Sequence, residues 1–397
     1  MTPLAELDID PITPGFSLRP DYYDVLARLR ADAPVFECGP GVKAISRYHD
    51  IREISRDPER FCSGQGVLVN DPLRDGGRIE GSILHLDPPR HGEWRRLLNR
   101  RFTPRAVGPM ERQIRGHVRR LLDAVPPGEV VDLVDVLAAP LPVLVISDFI
   151  GVSDAVRADF RRWSDATILA SDGRAALPPA AMGDILELVA FLGQIVAERG
   201  GAAGDDIVSL LVGAELEGRR LSESELVTFL MTLLVAGNET TRHLISGAML
   251  TLAEHPDQRR ALAAEPALLP TAVEELLRWV TPIQQFARTA TRDTELGGHP
   301  VAEGDYLMML YASGNRDEQA FGPTADRFDA TRSIDAPNLA FGFGAHLCLG
   351  AALARLEVRI VLDELLARYP DYEIAGDAEW LPSSLVRGPT RVPVIFA

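Results

Sequence analysis

The ten residues Phe341 to Gly350, FGFGAHLCLG, decide how this chain is read. They place Cys348 in a glycine-rich loop directly before LGAALARLEVRIVLDELLARY, residues 349–369, whose apolar side chains recur at helical spacing. Gly342, Gly344 and Gly350 permit backbone angles and close approaches that a side chain would block. Cys348 is therefore expected at or just before a helix N-terminus, where partial positive charge favours the thiolate that a metal ligand must be. A lone cysteine in a glycine turn is more often a small buried hydrophobe. Here Phe341, Phe343 and His346 share the loop with it, and two phenyl rings that could cover a flat aromatic ligand tip the reading toward a bound group.

Three further stretches carry chemistry. A capping-box pattern, Ser222 with Glu225, opens a helical periodicity that continues to about His255, before Pro256. At 1.5 Å per residue that helix is on the order of 50 Å long. Midway along it lies LLVAGNETTRH, residues 233–243, where Gly237 costs about 1 kcal/mol relative to alanine and so needs a reason. Glu239 and Thr240 beside a glycine that lets the helix open could relay protons. A solvated polar face with a packing glycine is the competing reading, and Thr241 is a second adjacent hydroxyl. In AVEELLRWVTP, residues 272–282, Glu275 and Arg278 meet at i, i+3, with Glu274 and Arg278 at i, i+4 as the rival pairing. An exposed pair of that kind contributes only a few tenths of a kcal/mol. In HGEWRRLL, residues 91–98, His91 and Arg95 share one helical face, and Arg96 and Arg100 another.

These segments, in this order, resemble the cytochrome P-450 family of haem-thiolate monooxygenases. Phe341, Gly344, His346, Cys348 and Gly350 fill every fixed position of that family's cysteine loop. The resemblance implies that Cys348 ligates the iron of haem b (iron protoporphyrin IX), in a bed that includes Phe341, Gly342, Gly350, Ala236 and Gly237. It implies that His91, Arg95, Arg288 and His346 reach the haem propionates. Thr240 would hydrogen-bond the oxygen held at the haem, and Glu239 would gate proton entry. Glu275 and Arg278 would form a structural network with a later arginine, Arg327 of the ADRF segment, or less readily Arg332. By the same analogy the substrate pocket includes Val67, Leu68, Leu84, Leu233, Ala236, Ile283, Gln285 and Leu385, with Val69 and Asn70 beside them.

The implied activity uses O2 and electrons from NAD(P)H to hydroxylate or epoxidise a hydrophobic small molecule, such as a sterol, branched lipid, terpenoid or polyketide-like compound. The haem domain uses up the chain and no GxGxxG nucleotide loop is found, so the electrons are expected from a separate ferredoxin and ferredoxin reductase. Two alternatives stay open: a peroxide-driven haem peroxygenase, which the Glu239–Thr240 pair argues against, and a non-catalytic haem-thiolate sensor.

Composition agrees with this reading. A chain of 397 residues, 46% hydrophobic, can bury a large core. A formal charge of −16 argues against nucleic-acid or anionic-membrane partners, which need a positive surface. Arg96 and Arg100 could still mark a local docking patch for an acidic redox partner. No run of about eighteen apolar residues is evident, and MTPLAELDID lacks the parts of a signal peptide, so a cytoplasmic monomer without a membrane anchor is expected. Three cysteines, Cys38, Cys62 and Cys348, none at CxxC spacing, give neither a disulfide framework nor a zinc site. The near absence of lysine suggests a GC-rich bacterial genome. The fold class expected is mainly α with a small β region, a single haem-thiolate domain over residues 1–397. The spacing predicts a hairpin over Val35–Ile45, helices from about Pro88 to Pro282 starting at Asp87-Pro88-Pro89, a strand at Tyr306–Tyr311, and a last helix ending near Pro370.

Overall fold

The long helix expected at the centre of the chain forms as Glu223–Glu254, and its capping box closes as the sequence dictates. The Ser222 hydroxyl accepts the Glu225 N–H at 3.2 Å, and the Glu225 carboxylate accepts the Ser222 N–H at 2.8 Å. The helix is the axis of the molecule. Its second half, Leu244 to Leu252, lies in a core shared with helices Glu111–Asp123, Leu269–Val280 and Ala351–Arg368. Its first half, Leu226 to Leu234, joins a second core with Trp94, Leu98, Phe160, Leu188 and Leu192. The two cores meet along one helix, and the candidate site lies where one gives way to the other. The computed structural model describes residues 9–68, 71–77, 79, 81–152, 156–171, 177–200, 206–216 and 218–396.

The β portion is small. Val35–Gly39 and Val42–Ile45 make the expected antiparallel hairpin. Tyr306–Leu310 runs parallel to Val42–Ile45, followed by Gln285–Ala290 and Phe61–Cys62, giving a five-stranded sheet. A parallel pair cannot be joined by a tight turn. The crossover between these two strands carries most of the helices, which positions strand Gln285–Ala290 beside them.

Three expectations are corrected. The helix after Asp87 begins at Arg90, because the Asp87 carboxylate is occupied with the Ser63 and Gly64 N–H groups. A strand, Val130–Asp132, interrupts the helical stretch, because its partner Pro393–Ile395 lies at the far end of the chain, beyond any local pattern. One helix, Pro179–Arg199, is after all long and apolar enough to cross a membrane by length and composition alone. It packs on the second core through Leu188, Leu192, Ile195 and Val196.

Candidate active site

The cysteine loop is held by main-chain geometry. Gly342 and Gly344 take φ of +67° and +72°, in the left-handed region where side chains are strained. A Cβ on Gly344 would overlap the Ser55 carbonyl oxygen, so the loop's seat against the end of helix Tyr48–Arg56 requires glycine. The Cys348 N–H donates to the Phe341 carbonyl at 2.8 Å, and the Gly350 N–H is directed at the cysteine sulfur. Gly350 then caps helix Ala351–Arg368. Cys348 is exposed, although protein surrounds it, which puts the residue at an internal cleft. That surrounding protein raises the thiol pKa by desolvation, against the opposing pull of the Gly350 N–H, Arg95 and Arg355. The helix terminus alone therefore does not secure the thiolate, contrary to expectation. A cation at the sulfur would.

The cleft's other wall is the middle of the long helix. Ala236 is exposed and Gly237 and Thr240 half-buried, while Leu234, Asn238, Glu239 and Thr241 are buried. Leu349, next to Cys348, packs on the core that holds Leu230 and Leu234, which brings the cysteine loop to this strip. Of the two adjacent threonines only Thr240 borders the cleft, its hydroxyl donating to the Ala236 carbonyl at 2.7 Å. The helix is unbroken at Gly237, so the expected opening is not present; a Cβ there would meet Ile146 at an ordinary 3.5 Å.

Glu239 turns away from the cleft, into the protein. It bonds Arg242, and His243 Nε2 lies 3.3 Å from the same carboxylate oxygen. Arg242 also reaches Asp165 at 3.0 Å, whose side chain is 48% exposed. A charged line thus runs from solvent to the residue beside Thr240. Neither Arg242 nor Asp165 was singled out in the sequence, since their residues are far apart and only the packing of helix Arg157–Ser171 joins them.

Basic side chains from three elements gather near the sulfur. His91 and Arg95 come from helix Arg90–Phe102, Arg288 from strand Gln285–Ala290 and His346 from the cysteine loop. The His91 and His346 rings stack at 3.9 Å, and Ser63 Oγ lies 3.1 Å from His346 Nε2. Desolvation, then Arg95 and Arg288, lowers the His91 pKa to about 4. Desolvation, then Arg288, His91 and Arg95, takes His346 to about 2. Burial also lowers the pKa of both arginines. Among the described residues no carboxylate forms an ion pair with Arg95 or Arg288; Asp87 faces Arg288, but its oxygens accept the Ser63 and Gly64 N–H groups at 2.8 Å. Two arginines without a paired carboxylate, beside two imidazoles that burial and those arginines keep neutral, call for an anion. A pair of carboxylates beside a thiol-bound metal fits this donor set, which is the arrangement a haem presents.

The Glu275–Arg278 pair is no surface pair. Both residues are 2% exposed; two 2.7 Å bonds join them, and Arg278 also donates to the carbonyls of Asn315, Ala325 and Arg327. The expected third member, Arg327, is corrected to Arg332, whose Nε lies 3.1 Å from Glu275 while the Arg327 side chain is exposed. Arg327 sits in a turn whose carbonyl, not its guanidinium, points inward. Glu274 does not take Arg278; it pairs with Arg355 on the helix after the cysteine.

Of the expected pocket residues, Ala236 is exposed and Leu68, Leu84, Leu233, Ile283 and Leu385 are half-buried. Val67 and Gln285 are withdrawn as lining residues. Val67 is 2% exposed, and the Gln285 amide is spent on the carbonyls of Pro11 and Ser384 at 3.0 Å. Val69 and Asn70 lie outside the described residues. Reading the sequence missed Asp71, Ser82 and His85, a hydrogen-bonded set in the segment before helix Arg90–Phe102. The only available signal was His85 and Asp71, fourteen residues apart in a loop that also carries Arg74, Asp75, Arg78 and Glu80.

The cytochrome P450 family model matches residues 200–376. The chain is 35% identical over 388 residues to linalool 8-monooxygenase of Pseudomonas putida, covering 94% of this chain and 95% of that protein. It is 35% identical over 397 residues to steroid C26-monooxygenase of Mycolicibacterium smegmatis, covering 99% and 97%. Among solved structures, a Mycobacterium marinum cytochrome P450 in complex with pseudoionone superposes with a TM-score of 0.90 at 34% identity, covering 100% of both chains. The chain belongs to the cytochrome P450 family. It is a monooxygenase, an oxidoreductase that incorporates oxygen from O2 with the help of haem and a supply of reducing electrons.

Proposed function

We propose that this enzyme hydroxylates or epoxidises a hydrophobic small molecule of the terpenoid or sterol type, using haem b and electrons passed from NAD(P)H through a ferredoxin reductase and a ferredoxin. The observation that carries the reading is an exposed cysteine inside the fold, at a cleft bordered by Ala236 and Thr240 and flanked by a cluster of basic side chains without a paired carboxylate. The half-buried Leu68, Leu84, Leu233, Ile283 and Leu385 support an apolar substrate, as do relatives named for linalool and for a steroid.

The haem, when bound, supplies the redox chemistry of oxygen activation. The chain's own residues do the rest. Cys348 would hold the iron, and His91, Arg95, Arg288 and His346 would hold the two propionates. Thr240 would present its hydroxyl proton at the cleft, exchanging its bond to the Ala236 carbonyl for one to the reacting oxygen. Glu239, linked to solvent-exposed Asp165 through Arg242, would carry protons toward it by turning its carboxylate from Arg242 to the cleft.

The haem-loaded protein, reduced under CO, should give the red-shifted Soret band of thiolate ligation, and Cys348→Ser should abolish it. With a surrogate ferredoxin and reductase, Thr240→Ala should retain haem but divert NAD(P)H to peroxide, raising the peroxide share about tenfold, the scale of one lost hydrogen bond to the reacting group. Tight coupling to product in that variant would remove Thr240 from the mechanism.

A further inference from the structure

His243 stands one turn after Glu239 on the long helix and is fully buried. Its Nε2 lies 3.3 Å from Glu239 Oε2, close enough for attraction but not aligned as a hydrogen bond, and neither ring nitrogen has a hydrogen-bond partner. A histidine that only filled the core would leave two polar atoms uncompensated, where leucine or phenylalanine would leave none. The seat of the ring is also specific. A Cβ on Gly388 would overlap His243 Nδ1, and Gly388 does not take the left-handed φ that would otherwise ask for glycine. The missing side chain at Gly388 is what leaves room for the imidazole. The Gly388 carbonyl accepts the Leu381 N–H at 3.1 Å, closing the turn that carries the half-buried Leu385.

The carboxylate that His243 faces is held unevenly. Glu239 Oε2 bonds Arg242 and faces His243, whereas Oε1, also buried, has no hydrogen-bond partner. Both holders follow Glu239 on the same helix, at i+3 and i+4, so they draw the carboxylate to one side. Their surroundings differ. Arg242 shares its charge with a second carboxylate, that of Asp165 at 3.0 Å on another helix. Among the described residues, Glu239 is the only acid within ion-pair distance of His243. With a proton on Nε2 the ring is a donor whose one acidic partner is Glu239.

We propose that His243 is a second hold on Glu239: donation from Nε2 sets the share of time the carboxylate spends turned into the protein, and so the rate at which protons reach Thr240. It is a positioning residue and acts only through Glu239. The proposal rests on the proton-carrying role of Glu239, and its test separates the two. The Glu239 carboxyl carbon is followed by 13C NMR in glutamate-labelled protein, haem-free and haem-loaded under CO, and is assigned by its loss in Glu239→Gln. His243→Phe fills the same seat without a donor and is expected to shift that resonance. His243→Gln, whose amide can donate at similar reach, should bring it back toward wild type. In turnover with a surrogate ferredoxin and reductase, His243→Phe should raise kcat about fivefold at unchanged KM, the scale of one net hydrogen bond. Its ratio of rates in H2O and D2O should fall toward unity, as proton delivery ceases to limit. A resonance and a kcat both unmoved in folded His243→Phe overturn the hold. A shifted resonance with kcat and isotope ratio unmoved overturns its part in turnover. Wild-type turnover by Glu239→Gln overturns the proton role of Glu239 instead, and the resonance still decides whether His243 holds that carboxylate. Should His243→Phe not fold, His243→Leu, which is smaller than the phenyl ring, is expected to show the same changes, and a wild-type resonance there overturns the hold.

Discussion

Two of the buried clusters of ionisable side chains among the described residues are built on opposite plans. Around Arg278 every guanidinium bond finds an oxygen: two from Glu275 and three from main-chain carbonyls, with Arg332 and the Asp329 N–H completing Glu275. Around Arg288 two arginines meet two imidazoles with no paired carboxylate, and burial lowers the pKa of each of the four basic groups. A buried charge network that balances itself belongs to the fold; one that leaves a charge uncompensated belongs to a ligand. The contrast separates structural from binding arginines without any appeal to motif.

The sharpest way to break the comparison is to unbalance the closed cluster. Glu275→Gln leaves Arg278 buried without its anion, at a cost of about 3–5 kcal/mol, the range found for single-partner removal from buried pairs. Chemical denaturation followed by circular dichroism should show that loss with or without haem. A change below about 1 kcal/mol would mean the carbonyls alone suffice, and the distinction between the clusters would fail.

The open cluster should respond with the opposite sign. Arg288→Gln relieves repulsion in the haem-free protein, whose denaturation midpoint is expected to stay level or rise. The haem-loaded form should release haem about tenfold faster, the effect of one charge-assisted bond to a carboxylate. Transfer of haem to excess apomyoglobin measures this directly. Destabilisation of the haem-free protein with unchanged haem release would reassign Arg288 to the fold.

How much of this was legible in the sequence follows the same divide. The place of Cys348 before a helix, of Thr240 within one and the extent of the long helix are readable because loop, capping box and periodicity are local, and the mainly helical fold follows from them. The pairing of Glu275 with Arg278 was readable at i, i+3, but its burial was not, because that depends on Asn315 and Ala325 arriving from other elements. Arg327 was chosen over Arg332 because spacing cannot tell which residue of a turn points inward. Residue type and position put Val67 and Gln285 at the pocket wall, but they do not reveal that one is packed away and the other's amide is already bonded to Pro11 and Ser384. The Asp165–Arg242–Glu239 line and the Asp71–His85 bond are tertiary facts with no local period.

The smallest effect is a pH dependence, and its sign follows from His91. In the folded, haem-free protein its pKa falls from 6.5 to about 4, because burial and then Arg95 and Arg288 disfavour the charged ring. As pH drops through 6.5 the unfolded chain takes up a proton that the folded state refuses until about 4, so folding stability is lost across that window. The contribution is fully present above the unfolded value and disappears on acidification. Bound haem propionates would offer the imidazolium a partner, and the loss between pH 7 and 5 should shrink in the haem-loaded form. His91→Asn should shrink it in the haem-free form by removing the titrating group. Urea midpoints at the two pH values, for both proteins with and without haem, make the comparison. If the wild-type loss is the same whether or not haem is bound, the propionates do not reach His91, and the open cluster has some other anion as its partner.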